Sequence, residues 1–249
     1  MSSSSLKKVL VTGSSGYVGN YLLKNIALKN PTVQCIGMSR RGTPRKGETK
    51  TATLRNVTYL EGDCLKPGSF ENELQDVDAV VHTVGALFEI NGMTYDAHNR
   101  DSCINMAYTL ERFAKESNER RNFVLISSAK APFFAPRYLS SKVEAENYIL
   151  EKCKNLQPTI IKPGVVLNNE HRWWGGPVGM GNDLAWWLDK TLVKTLAPQA
   201  VSDATDFLIP ARSTQLTTIE HYVLAGIHGE NPDPCIIGPD EYIAYETRR

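Results

Sequence analysis

Tyr138 and Lys142 lie four residues apart in Arg137-Tyr138-Leu139-Ser140-Ser141-Lys142. On a helix both side chains then leave one face, a turn apart. An ammonium beside a phenol favours the phenolate and lowers the hydroxyl from its ordinary titration point near pH ~10. A tyrosine tuned in this way passes a proton to or from a substrate oxygen at neutral pH. Ten or eleven residues upstream stand two more hydroxyls, Ser128 and Ser127, where the apolar run Phe123-Val124-Leu125-Ile126 ends.

The second constellation is Val9-Leu10-Val11-Thr12-Gly13-Ser14-Ser15-Gly16-Tyr17-Val18-Gly19. An apolar run breaks into Gly13, Gly16 and Gly19, and a pattern of helical period starts inside them. A buried strand entering such a turn lets the backbone approach a ligand, and the helix that follows points free N–H groups and its positive dipole end at a phosphate. The spacing and its place between strand and helix predict a dinucleotide site formed by Gly13, Ser14, Ser15, Gly16, Tyr17, Val18 and Gly19, against a turn whose glycines serve only the bend. No Gly-Lys-Ser/Thr follows, so a nucleoside-triphosphate loop fits less well. The next strand, Val33 to Met38, runs into Ser39-Arg40-Arg41 with no acid. A carboxylate there would take a ribose 2′-hydroxyl, whereas a guanidinium accommodates a 2′-phosphate. NADP(H) is favoured over NAD(H), the alternative being that Arg40, Arg41, Arg45 and Lys46 form a plain basic loop. Asp63, just past a third strand, stands where an adenine amino group could be bound or where the next turn is capped. Gly85 and Ala86 follow a fourth strand and let a cofactor lie against the backbone. His82, within that strand, reads as structural.

The elements that position these residues alternate along the chain. Strands are expected at Val9–Val11, Val33–Met38, Val57–Glu61, Asp78–His82, Phe123–Ile126 and Cys235–Ile237. Helices are expected from about Gly16 to Lys29, Asn99 to Ser117, through Tyr138–Glu146, and over 182–196 and 215–228. This is an α/β pattern with a doubly wound, Rossmann-like parallel sheet. The 249 residues, 41% of them hydrophobic, suffice for one domain spanning 1–249, in which residues from about 165 onward form a small substrate or docking lobe. Lys and Arg total 28 against 27 Asp and Glu, so overall charge argues for neither nucleic acid nor an acidic membrane as partner. Residues 1–50 nevertheless hold nine Lys/Arg and one acid, Glu48. Five scattered cysteines with no Cys-x-x-Cys pair indicate reduced, intracellular thiols and no metal site. No apolar stretch approaches the roughly 20 residues of a transmembrane helix. Met1 to Ser5 is too brief for a cleavable transit peptide, and the basic helix that follows reads as a solvated face, with an uncleaved import signal as the alternative.

Together, Gly13/Gly16/Gly19, Asp63, Ser127-Ser128, Tyr138-x-x-x-Lys142 and Ile161-Lys162-Pro163-Gly164-Val165-Val166 resemble the short-chain dehydrogenase/reductase superfamily over nearly the whole length. That resemblance implies that Tyr138 is the acid/base, that Lys142 binds the nicotinamide ribose and aids Tyr138, and that Ser127 or Ser128 orients the substrate. It also places Pro163 and Gly164 beside the nicotinamide. Ser39-Arg40-Arg41-Gly42, the Asn168 to Gly179 insertion and Thr217-Thr218-Ile219-Glu220 resemble the atypical mitochondrial branch, which includes the nucleotide-binding accessory subunit of respiratory complex I and a protein associated with coenzyme Q synthesis. In that branch the dinucleotide is often structural. The link from Ser127-Ser128 to Tyr138, stiffened by Pro132 and Pro136, is shorter than in the active enzymes, which predicts a serine displaced from the tyrosine.

Residues 171–187 carry all four tryptophans, Trp173, Trp174, Trp186 and Trp187. Substrate lid, docking surface for a large mitochondrial complex, and ordinary packing are all open for them. The last twelve residues read as a polar arm. The two functional expectations are an accessory protein that holds NADP(H) within a mitochondrial assembly, which is preferred, and an NADP(H)-dependent oxidoreductase acting on a carbonyl or alcohol.

Overall fold

Strand β1 (Lys8–Thr12) alternates its side chains between two cores. Leu10 faces one, Val9 and Val11 face the other, and all three are fully buried. A strand covered on both faces reads as a continuous apolar run, as this one does. The computed structural model describes residues 6–45, 47, 49–89, 92–131, 135–167 and 213–246. The expected helix over 182–196, the Asn168 to Gly179 insertion, the four tryptophans and Pro132 therefore lie outside the described residues.

Around β1 the chain lays down α1 (Tyr17–Lys29), β2 (Gln34–Ser39), α2 (Thr49–Ala52), β3 (Val57–Glu61), β4 (Ala79–His82), α3 (Ser102–Ser117), β5 (Arg121–Ile126), α4 (Pro136–Lys152) and β6 (Leu156–Ile161). A small pair, β7 (Val166–Leu167) and β8 (Thr214–Gln215), precedes α5 (Leu216–Ile227), β9 (Cys235–Ile237) and α6 (Pro239–Glu246). The main sheet has seven strands in the order β3-β2-β1-β4-β5-β6-β9, all parallel. This is the Rossmann-like doubly wound arrangement the alternation predicts. Each face is sealed by helices: Met106 and Leu110 of α3 with Ala145 and Ile149 of α4 on one, Leu22, Leu23 and Ile26 of α1 with Ile219, Val223 and Ile227 of α5 on the other. Each such side chain contributes roughly 1.5–3 kcal/mol when fully buried.

Among the described residues, two of the nine basic side chains in the first fifty are paired with acids from later in the chain. Lys8 meets Asp76 at 2.8 Å and Lys29 meets Glu220 at 2.5 Å, Glu220 also accepting the Tyr21 hydroxyl at 2.8 Å. Arg40, Arg41 and Arg45, by contrast, gather in the loop after β2.

The reading of the last twelve residues as a polar arm is corrected by α6. Pro239 opens this helix, with Asp240 and Glu241 in its first turn, the residue types a helix start favours. Tyr242 is buried in the second core and donates to the carbonyl of Ile237 at 3.2 Å, while Tyr245 stacks on His221 at 4.3 Å. Two aromatics three residues apart anchor a segment whose average polarity conceals them. Among the described residues no helix is long and apolar enough to cross a membrane.

Candidate active and dinucleotide site

Open parallel sheets bind ligands where the strand order reverses, outside the carboxyl ends of the strands. Here the reversal falls between β1 and β4, and a cleft of about 510 Å³ opens across the ends of β1 to β4. Gly13, Ser15, Gly16, Ser39, Arg40, Asp63 and Gly85 all line it.

The glycine turn is shaped by what lies beneath it. Gly13 has φ +69°, a conformation that favours glycine. A Cβ on Gly19 would come within 2.6 Å of Thr83 Oγ1 and closer still to the Gly13 carbonyl. Helix α1 can therefore start directly under the turn only with glycine there. Its first turn carries no acid, which leaves the dipole end open to an anion. Thr83 donates to the Thr12 carbonyl at 2.7 Å, Thr12 Oγ1 lies 3.0 Å from His82 Nδ1, and Ser102 Oγ 3.4 Å from His82 Nε2. Burial, with the nearby Lys142 charge, pushes His82 down to about 3, so this imidazole is neutral and structural.

Other residues of the glycine stretch take supporting positions. Ser14 is fully buried and gives its N–H to the Met38 carbonyl at 3.1 Å, away from the cleft. Val18 packs against the second core. The Tyr17 ring lies under the Arg45 guanidinium, 5.7 Å from its centroid. Arg40 forms part of the cleft wall, whereas Arg41 is exposed and outside the lining. Asp63 uses one carboxylate oxygen to cap the Leu65 N–H at 3.0 Å and still faces the cleft. Both readings of Asp63 therefore have a geometric basis. Pro163 is buried and its carbonyl accepts the Ala129 N–H at 2.9 Å, tying the ends of β5 and β6 together.

The Tyr-Lys pair lies behind Gly85, and none of Tyr138, Lys142, Ser127, Ser128 and Pro163 is among the residues lining the cleft. Lys142 is buried under Gly85, donates to the Ile126 carbonyl at 3.2 Å and holds its ammonium 5.6 Å from the Tyr138 ring centroid. The Ser128 hydroxyl donates to the Lys130 carbonyl at 2.9 Å and lies near the Tyr138 hydroxyl. Ser127 is engaged elsewhere, donating to the buried Glu146, which also pairs with Lys162 at 2.7 Å. Tertiary contacts thus separate two serines that the sequence left equivalent.

The electrostatics also differ from the simple pairing argument. Burial raises the Tyr138 hydroxyl and outweighs the opposing effect of Ser128. Burial pushes Lys142 down to about 8, against the upward pull of Cys103 and Glu146. At neutral pH the pair is a protonated phenol beside an ammonium, an arrangement suited to donating a proton. A lysine depressed in the folded state binds fewer protons there than in the unfolded chain, so the cost of burying its charge is present below pH 8 and is relieved as pH rises toward 10.5. The stability of Lys142→Met relative to the natural chain should accordingly fall by about 3 kcal/mol between pH 7 and pH 10.5. Urea unfolding of both proteins at the two pH values measures this, and a constant difference would refute the desolvation argument.

Several contributing residues escaped the sequence reading. Asn99 sits on a π-helical turn, Asp96–Asp101, and holds Ala86 by both amide ends, at 3.0 and 3.3 Å, which fixes the loop over Lys142. Such turns concentrate at functional sites. The Tyr95 ring meets Tyr138 edge-on at 6.3 Å. Asp96 pairs with Arg137 at 2.6 Å and Arg100 with Glu144 at 3.0 Å, clasping this turn to α4. Glu146 had a legible signal: it lies four residues beyond Lys142, on the face shared with Tyr138.

Residues 9–147 match the NAD dependent epimerase/dehydratase family. Over 92% of its length the chain is 25% identical to MIOREX complex component 2 of Saccharomyces cerevisiae, covering 95% of that protein. It is also 25% identical to eugenol synthase 1 of Petunia hybrida over 63% of its own length, which spans 53% of that protein. Among solved structures it resembles a short chain dehydrogenase from Leptospira borgpetersenii with bound NAD+, at TM-score 0.63 and 12% identity, over 95% of this chain and 92% of that one. At such identity the likeness is one of fold.

Proposed function

Because the chain belongs to the NAD dependent epimerase/dehydratase family, we propose that it is an NADP(H)-binding, short-chain dehydrogenase-like protein that serves as an accessory component of a mitochondrial assembly. The observation that carries the cofactor is the cleft wall at the end of β2, where Arg40 stands and no carboxylate follows Ser39. A 2′-phosphate would be attracted there, and a 2′-hydroxyl would find no acidic acceptor on that turn. The accessory role and the mitochondrial location are supported by the end-to-end relation to a yeast protein named as a complex component and by resemblance to the atypical mitochondrial branch. Respiratory complex I and the coenzyme Q synthesis complex are the candidate assemblies, with residues 171–187 as the proposed contact.

NADPH should protect the protein from heat more than NADH, and Arg40→Ala should narrow that gap by roughly 1.5–3 kcal/mol of binding free energy. Equal protection by the two nucleotides would remove the 2′-phosphate assignment. Native purification from mitochondria should bring the chain down in a large complex whose composition identifies the assembly. Recovery as a free monomer or dimer would count against the accessory role.

The position of Ser128 near Tyr138, with the Lys142 ammonium buried beside the ring, favours a second reading as an active oxidoreductase. Bound NADPH would supply the hydride. Tyr138, protonated at neutral pH, would donate to the carbonyl oxygen, with Ser128 orienting that oxygen and Lys142 offsetting the charge left on the phenol.

A further inference from the structure

We infer that Glu146 is a positioning residue for the Tyr-Lys pair: its buried carboxylate is the counter-charge that holds the Lys142 ammonium, and Lys162 competes for it from the end of β6. This rests on the reading of Tyr138 and Lys142 as a proton-handling pair. Glu146 is 3% exposed and lies four residues beyond Lys142, so both side chains leave one face of α4. They grip consecutive residues at the end of β5. Lys142 donates to the Ile126 carbonyl at 3.2 Å, and Glu146 accepts the Ser127 hydroxyl on Oε1. Oε2 of Glu146 takes the Lys162 ammonium at 2.7 Å, and Lys162 directly follows β6, whose last residue, Ile161, is in register with Ile126. The carboxylate therefore serves two ammonium-bearing elements, with Lys142 buried and Lys162 28% exposed along its side chain.

A carboxylate engaged by one serine and one lysine would already brace α4 against the sheet. The surroundings of Lys142 give it a second role. The titratable groups that act on this ammonium are Tyr138 and Glu146 from α4, Cys103 from α3 and His82 from β4. Burial holds the Cys103 thiol well above its ordinary range, so it is uncharged where Lys142 titrates, and burial keeps His82 neutral. Among the described residues that face Lys142, Glu146 is thus the one that brings a carboxylate. A buried ammonium without a counter-charge gives up its proton readily. Glu146 opposes that loss, pulling Lys142 upward against desolvation.

Lysine carrying a carbon-13 label at Cε reports the charge of each ammonium by NMR, and the Lys142 signal is the one lost in Lys142→Met. Titrated from neutral to alkaline pH, Glu146→Gln should weaken the proton affinity of Lys142 about tenfold, the effect of removing one nearby opposite charge. Glutamine keeps the shape of the side chain and an acceptor for Ser127, so the bond into β5 survives. Lys162→Gln should move Lys142 the other way, because it frees the carboxylate from its competitor. A brace with no electrostatic role predicts lower melting temperatures in both variants and an unmoved Lys142 midpoint, and that result would overturn the inference. If Glu146→Gln does not fold, Lys162→Gln decides: a tighter proton on Lys142 supports the inference, and an unchanged or weaker one refutes it. In carbonyl reduction, the alkaline limb of the pH–rate profile should shift to lower pH in Glu146→Gln, in step with Lys142. Turnover that survives Tyr138→Phe would remove the reading of the pair while leaving the Lys142 titration standing.

Discussion

Tyr138→Phe is expected to lower any NADPH-dependent carbonyl reduction by about 10²- to 10⁴-fold, the usual contribution of a positioned general acid, while dinucleotide binding stays unchanged. The separation of effects follows from the geometry. Tyr138 is not among the residues that line the cleft beside the glycine turn, and its ring keeps its edge contact with Tyr95 and its place beside Lys142. Phenylalanine preserves the ring and deletes only the hydroxyl. Stability should change by about 1 kcal/mol, the worth of one hydrogen bond. Single-turnover oxidation of NADPH against a panel of small ketones and aldehydes, with heat protection as the binding control, measures both halves. Turnover retained in the variant would take Tyr138 out of the chemistry.

Gly19→Ala is expected to destabilise the protein by about 3 kcal/mol, at the upper end for overpacking, and to abolish protection by either dinucleotide. The new methyl would lie 2.6 Å from Thr83 Oγ1 and 2.8 Å from the Gly13 carbonyl carbon. Neither neighbour can yield cheaply, because Thr83 is tied to the Thr12 carbonyl and Gly13 forms the positive-φ corner of the turn. For a chain of this size the melting point should drop by roughly 6–12 °C. Gly68→Ala is the matched control, since a Cβ there meets nothing within 4 Å. If Gly19→Ala melts with the natural chain, the close-packing account of the turn is wrong.

Much of the fold was legible before any coordinate. Strand and helix periods are local properties, so β1, α1, α3 and α5 fall within a few residues of their expected limits. The polar average of the last twelve residues hid α6, because Tyr242 and Tyr245 are too few to set a period by themselves. The π-helical turn was hidden for another reason: Asn99 adopts its place through bonds to Ala86, thirteen residues earlier.

The sequence by itself determined the doubly wound sheet, the glycine turn after β1 and the basic character of the loop after β2. These depend on residue type and spacing along one stretch of chain. Only the tertiary structure decided that Ser127 gives its hydroxyl to Glu146 and Ser128 to the Lys130 carbonyl, because Glu146 is brought to the end of β5 by the packing of α4. It also decided the direction in which Tyr138 and Lys142 titrate. A neighbouring charge can be read from a four-residue spacing, but desolvation is set by everything that packs around the pair, and here burial is the largest cause of both shifts.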